Sequence, residues 1–288
     1  MTDQSTHDDS EKWDIEISSG RSYFDVNLKE IWRYRDLMML FVKKDIITVY
    51  KQTILGPLWF LLQPVFTTLI YMYIFGQVAK IPTGDAPPIL FYLGSVTIWN
   101  YFSETLTVTS KTFSENATVF GKVYFPRLIL PLSKVVSGLV KLMIQFGLFL
   151  VVWLYFIFAK HAITPNWHIV FFPAFLLVFA VLSLGFGIII TSLTTKYRDL
   201  AFLITFAIQL LMYATPVIYP ISVAPPDKQF WLWLNPLTSL FEAFKFAFLG
   251  NGVFSYFWLS YSVVFTIICF VAGIVVFNKV EKRFIDTV

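Results

Sequence analysis

Residues 111–134 read KTFSENATVFGKVYFPRLILPLSK, a polar and basic stretch set between two long apolar runs. A helix is expected to begin in it at Ser114, whose hydroxyl is placed to accept a bond from a free N–H of the first turn, with Glu115 favoured near the positive helix end. Gly121 is placed to stop that helix, and Pro126 and Pro131 then forbid a straight run from the loop into the next apolar segment. Such an elbow is either a rigid handle for a partner or an ordinary solvated connector, and its surroundings have to decide between the two.

Those surroundings are apolar. Of 288 residues 57% are hydrophobic, 19% aromatic and only 14% charged, with a mean hydropathy of +0.69. Soluble domains carry about 25% charged residues, and the deficit here is concentrated in runs too long for a water-soluble core. The expected fold class is an all-α integral membrane protein. Crossing the hydrocarbon core takes about 20 apolar residues, and the six segments 54–75, 89–109, 128–158, 170–193, 200–219 and 256–277 are long enough. The third is overlong and carries Pro131, Lys134 and Lys141 in its first half, which is expected to lie oblique or cytosolic, leaving 139–158 as the crossing. The single cysteine, Cys269, lies inside an apolar run, so no intrachain disulfide is possible.

Lysine and arginine set the orientation. Seventeen of the 22 basic residues fall on one side: Lys12 to Lys51, Lys111 to Lys134, Lys196 with Arg198, and Lys279 to Arg283. The other side holds Lys80, Lys160, Lys228 and Lys245, and Lys141 lies within the third span. Both termini, the elbow and the KYRD turn at 196–199 are therefore expected in the cytosol. Residues 1–27 are acidic, with neither the basic start nor the apolar core of a secretory signal, and read as a loosely ordered cytosolic tail.

Order is expected from Asn27, a helix cap with Glu30 three residues on. Over 28–51 apolar side chains recur at helical spacing beside Arg33, Arg35, Lys43, Lys44 and Lys51. That pattern gives a basic amphipathic helix, lying either at the membrane surface or against the chain's own cytosolic face. Between the fifth and sixth spans, Pro225 and Pro226 precede QFWLWL, the break Asn235-Pro236 and a run closing on Gly250. Both pieces are too short to cross and too apolar for a free loop, which points to two short re-entrant helices in the outer leaflet. Glu242 and Lys245, three apart, can pair on one face. Trp231 and Trp233 serve either a lid over an outer mouth or an interfacial belt.

Catalytic motifs are absent. There is no G-x-x-x-x-G-K-[ST] loop, no H-E-x-x-H, no G-x-S-x-G and no Cys/His cluster, so the chain has neither its own ATPase nor a metal or triad site. Ionisable groups inside spans mark pathways or partners. Glu104 either lines a polar pathway or pairs with a neighbouring helix's lysine. Tyr71, Trp99, Tyr101, Phe102 and Tyr213 suit either a sugar-stacking track or a membrane belt.

Three stretches together resemble a known family: RYRDLMMLFVKKDIITVYKQTILGPLWFLLQP at 33–64, FSENATVFGKVYFPRLILPLSK at 113–134 and NKVEKRFIDTV at 278–288. They are similar to the membrane subunit of bacterial ABC-2-type polysaccharide exporters, the permeases of O-antigen, capsule and teichoic acid, from about residue 28 to the C-terminus. The resemblance implies an ABC-2, type V exporter-like, fold over 52–288. It implies a homodimer carrying two copies of a cytosolic ABC ATPase that binds ATP and magnesium, while this chain binds no cofactor of its own. It also implies a place in the bacterial inner membrane among its lipids, no nucleic-acid partner, and export of an undecaprenyl-linked glycan.

By that resemblance 28–51 is an interface helix whose Arg33, Arg35, Lys43 and Lys44 meet a lipid diphosphate headgroup. A coupling helix over 114–122 (Ser114, Glu115, Asn116, Phe120, Lys122) rests in the ATPase, with Lys196, Arg198 and Asp199 as a second contact. The channel is lined by Tyr71, Trp99, Tyr101, Phe102, Glu104 and Tyr213. Residues 226–250, with Trp231, Trp233, Asn235, Glu242 and Lys245, form an outer gate. Drug or lipid export shares this outline, and a lipid-modifying enzyme would need interfacial carboxylates or histidines that are sparse here.

Overall fold

The computed structural model describes residues 28–51, 53–116, 125–194 and 199–285, and among them there are helices and loops but no strand. The chain begins with α1 (Leu28–Arg33) and α2 (Arg35–Lys51). The single helix expected over 28–51 is thus broken at Tyr34, whose N–H still reaches the carbonyls of Glu30 and Ile31 at 3.2 Å each. The expected cap Asn27 lies outside the described residues.

One face of α1 and α2 packs on the chain itself. Ile31, Tyr34, Leu37, Met38 and Phe41 cover Phe125, Ile129 and Leu130, and Lys134 holds both carboxylate oxygens of Asp45 at 2.7 and 2.8 Å. Lys43 and Lys44 remain exposed.

The first apolar segment forms a 3-10 turn (Gly56–Leu58), then α3 (Trp59–Tyr71), which runs on as a π-helical turn (Met72–Val78). Next comes α4 (Pro88–Ser110), which opens on a proline, tolerated at a first helical position because that N–H has no partner in any case. Sixteen of its 23 residues are buried, so α4 is the central post of the bundle, flanked by α3, α6 (Ile129–Phe158) and α7 (Phe172–Thr194).

Among the described residues of the elbow, a helical turn, α5 (Thr112–Glu115), follows α4, and most of the helix expected over 114–122 lies outside the described residues. The turn does not begin at Ser114: Lys111 stands at the cap position, and the Ser114 hydroxyl donates back to the Lys111 carbonyl at 2.9 Å. Pro131 does not break the following segment either. It falls in the first turn of α6, where no intrahelical acceptor is lost, and α6 runs unbroken for 30 residues.

The later elements are α8 (Leu200–Tyr213), α9 (Pro226–Trp233), α10 (Pro236–Leu249) and α11 (Tyr256–Ile285). The fifth expected segment is shorter than its apolar run, because the helix ends at Tyr213 ahead of Pro216, and a residue preceding proline is pushed out of the helical region. Fourteen residues at about 1.5 Å each give roughly 21 Å, less than a hydrocarbon core. Among the described residues, four helical segments are long and apolar enough to cross a membrane: Gly56–Val78, Ile129–Phe158, Trp167–Thr194 and Tyr256–Lys279.

Small residues set the closest helix contacts. A Cβ on Gly185 of α7 would meet the Phe270 Cα of α11 at 3.0 Å, and one on Gly273 would meet the Gly185 carbonyl at 2.9 Å. On the other side of α7, a Cβ on Gly187 would press to 2.4 Å from Thr109 of α4. Backbones that approach this closely gain dispersion and weak polar contacts, the chief attraction left to helices whose surroundings are as apolar as they are. Above this layer Phe146, Phe149, Phe172, Phe244 and Phe248 interlock α6, α7 and α10.

Candidate functional site

On α4, Asn100, Ser103, Glu104 and Thr107 recur at i, i+3, i+4 and i+7 and so lie on one helical face. That face is the part of the central helix that is not sealed in the core. It opens on a groove of about 880 Å³ between α3, α4, α6 and α8. Gln63 of α3, Lys141 and Gln145 of α6, and Thr205 and Gln209 of α8 add further polar groups, and Trp59, Phe60, Tyr71, Trp99, Phe206 and Tyr213 supply aromatic walls. Lys141 is bonded to Glu104 across the groove, which satisfies the only two charged groups lining it among the described residues. Glu104 is thus paired with a lysine of a neighbouring helix, and the pair stands on the wall of this cleft.

Such a lining has definite chemical capacity. Amides and hydroxyls offer both donors and acceptors, and flat rings offer apolar faces, without fixed net charge. No group of three or more metal-ligating side chains occurs among the described residues. The amides, hydroxyls and rings of the cleft can meet the hydroxyls and the C–H faces of a polyhydroxylated molecule.

Of the aromatic candidates, Tyr71, Trp99 and Tyr213 reach the groove, whereas Tyr101 and Phe102 face the core at 3% and 0% exposure. Tyr71 donates its hydroxyl to Met212 at 3.5 Å, linking α3 to α8 on the groove wall. Asn100, Ser103 and Thr107 have no signal as single residues; their helical spacing around Glu104 is the pattern that marks the face.

A second, smaller cleft of about 280 Å³ joins Lys44, Asp45 and Lys134 to the same Glu104 and Lys141. Lys134 and Lys141 are seven apart on α6, each bound to a carboxylate from a different helix. Arg33 and Arg35 lie on the exposed side of α1 and α2, with Arg35 over the Trp32 ring at 5.5 Å.

At the elbow, the Phe113 N–H donates to the Thr191 hydroxyl at 3.2 Å, Thr194 donates to the Ser110 carbonyl at 3.0 Å, and Phe113 packs on Phe277 at 5.0 Å. These contacts lash the turn to α7 and α11 while Ser114 and Glu115 stay exposed. Asn116 folds back onto the Thr112 carbonyl at 2.9 Å. Phe120, Lys122, Lys196 and Arg198 lie outside the described residues, and Asp199 is exposed ahead of α8.

The α9–α10 hairpin lies at the end of the bundle away from α2. Asn235 caps α10 by accepting from the Leu237 N–H at 3.1 Å, and its amide donates to the Ala214 carbonyl and Thr215 hydroxyl at 3.1 and 2.8 Å. Trp233 stacks on Trp258 at 5.6 Å, while Trp231 is 71% exposed. Glu242 and Lys245 pair at 2.9 Å inside the protein.

A sequence model of the ABC-2 type transporter family matches residues 36–249, and the chain belongs to that family. It is a multi-pass membrane protein of that class. Two O-antigen export system permease proteins RfbA from Klebsiella pneumoniae are 26% and 28% identical to it, each over 87% of this chain and 94% of its own length. A protein of the same name from Myxococcus xanthus is 28% identical over 77% of this chain and 83% of its own.

Proposed function

We propose that this chain is the membrane-spanning permease subunit of an ATP-driven exporter that moves a lipid-linked polysaccharide of the O-antigen type across the bacterial inner membrane. The observation that carries the reading is the groove beside α4, where hydroxyls, amides and aromatic faces line a continuous cleft inside an apolar bundle. The O-antigen export permeases similar to most of the chain support the same substrate class. Six crossings result if α4 and α8 traverse with the four longer segments, the turn after Tyr213 completing the fifth, with α9 and α10 re-entrant in the outer leaflet.

A second copy of the chain closes the groove. Of the 14 residues of α8 only Ile208 is buried, and Phe202, Leu203, Phe206 and Tyr213 are exposed beside the cleft, as are Phe66 of α3 and Tyr73 of the π-helical turn that follows it. Two such faces brought together enclose a passage lined on both sides by the α4 stripe. Work is supplied by two copies of a cytosolic ABC ATPase holding ATP and magnesium, pressing on the segment 114–122 and the turn ending at Asp199. The rigid attachment of Phe113 to α7 and α11 supports transmission from that contact into the bundle. Both termini are then cytosolic, and the undecaprenyl diphosphate end enters past Lys43 and Lys44.

The test is deletion of the gene in the source bacterium. The expected result is loss of surface polysaccharide with lipid-linked glycan retained inside, restored by the wild-type chain and not by Trp99→Ala combined with Glu104→Gln. Unchanged surface polysaccharide in the deletion strain overturns the proposal.

A further inference from the structure

A separate pocket of about 720 Å³ lies at the end of the bundle that holds α9. Its walls are Tyr219, Val223, Pro225 and Trp231, with Asp227 and Lys228 at the rim. Ligand sites commonly span about 300–1,000 Å³ and combine apolar walls with a few placed polar groups. Two features set this one apart from an ordinary interfacial tryptophan. First, Trp231 presents a 71% exposed ring beside a carboxylate, Asp227, that is itself exposed and enters no ion pair among the described residues. A carboxylate gains nothing from acyl chains or from anionic headgroups, whereas an aromatic face beside a carboxylate suits a sugar ring: the C–H face stacks on the indole and vicinal hydroxyls donate to the two oxygens.

Second, a hydrogen bond ties a wall of the pocket to a wall of the groove. The Tyr219 hydroxyl donates to the Tyr213 carbonyl at 3.0 Å, and Tyr213 lines the groove while Tyr219 lines the pocket. The turn between them is pinned by the Asn235 amide on Ala214 and Thr215. Tyr213 on the groove and Tyr219 on the pocket are thus held together, with Trp231 on the pocket's wall.

We propose that the pocket beneath Trp231 is an exit subsite that holds sugar units of the departing glycan, with Trp231 and Tyr219 as stacking faces and Asp227 as acceptor of sugar hydroxyls. The inference rests on the polysaccharide reading above and adds a second binding position to it. A glycan held at the mouth resists sliding back between strokes, which is the advantage such a site confers on stepwise export.

The experiment uses the full chain, purified from its own membrane with the subunits that accompany it and placed in lipid nanodiscs. The probe is the source strain's surface polysaccharide freed from lipid by mild acid. Emission from Trp231, taken as the difference between wild type and Trp231→Phe, is expected to shift on adding the polysaccharide, and Asp227→Asn is expected to weaken that response about tenfold, the loss of a charge-assisted hydrogen bond. In cells, Trp231→Ala and Asp227→Asn are expected to lower surface polysaccharide while Trp231→Phe retains it. Quenching of the Trp231 component by brominated lipid, with no response to polysaccharide, makes the residue a lipid-facing anchor and overturns the inference. So does wild-type surface polysaccharide in both cell variants when gene deletion abolishes it. A deletion without effect on surface polysaccharide overturns the exporter reading itself.

Discussion

Lys245 and Glu242 form an ion pair of 2.9 Å in which the lysine side chain is 0% and the glutamate 1% exposed. The pair is stable there because nothing in it goes unmet. Lys245 also donates to the Pro216 carbonyl at 2.6 Å and lies over the Phe91 ring at 4.7 Å, while the Glu242 oxygens accept from the N–H groups of Ile221 and Val253 at 3.4 and 3.0 Å. One helical turn of α10 thereby fixes the chain entering α9 and the chain leaving α10. Removing one partner of a buried pair costs about 3–5 kcal/mol because the other charge is stranded. Lys245→Met is expected to destabilise the purified protein by an amount in that range, seen as a lowered thermal midpoint, and the double variant with Glu242→Leu to recover part of it. Melting unchanged in Lys245→Met counts against the pin.

The α7–α11 contact depends on glycine. Gly185→Val puts side-chain atoms where the Phe270 backbone stands, 3.0 Å from the first carbon, while a Cβ at Gly147 on α6 meets nothing within 4 Å. Overpacking costs typically about 1–3 kcal/mol, more where backbone must move. Gly185→Val is expected to cut the yield of folded protein in detergent, seen as loss of the monodisperse peak, while Gly147→Ala leaves it unchanged.

The surface helix is clamped through Asp45 and Lys134, whose side chains are 23% and 17% exposed. Solvent reaches the pair, so Asp45→Asn is expected to cost about 1 kcal/mol rather than the several of a sealed pair. The readout is local: hydrogen exchange should accelerate in α2 and leave α7 and α11 unchanged. Uniform acceleration across the protein speaks against a local clamp.

Glu104 and Lys141 neutralise each other on the groove floor. Either single neutralisation, Glu104→Gln or Lys141→Met, leaves one bare charge facing the cleft and is expected to reduce export more than both together. Interacting neighbours usually show a coupling of about 0.5–3 kcal/mol, which is visible as a double variant that exports better than Lys141→Met alone. Additive losses indicate that the two act separately.

Much of this architecture was legible in the residues. The apolar runs, the Asn235-Pro236 break and the basic amphipathic start each follow from periodicity and proline chemistry, and Glu242 and Lys245 announce their pairing by a three-residue spacing. Local rules misplaced the ends. Ser114 has the side chain of a cap but lies inside α5, where the neighbouring Phe113 meets Thr191 and Phe277, contacts 78 and 164 residues distant in sequence. The fifth run reads as apolar to Tyr219, yet hydropathy does not register that Pro216 ends the helix at Tyr213.

The amino-acid sequence by itself determined that this protein lives in a membrane and where its helices start within a few residues, since these depend on composition, spacing and the chemistry of single side chains. Tertiary structure alone decided which aromatics look into the cleft and which into the core, and that Lys141 finds Glu104 and Lys134 finds Asp45. Those pairings depend on how the faces of separate helices are rotated toward one another, and that rotation is set by close glycine contacts and interlocked rings drawn from the whole length of the chain.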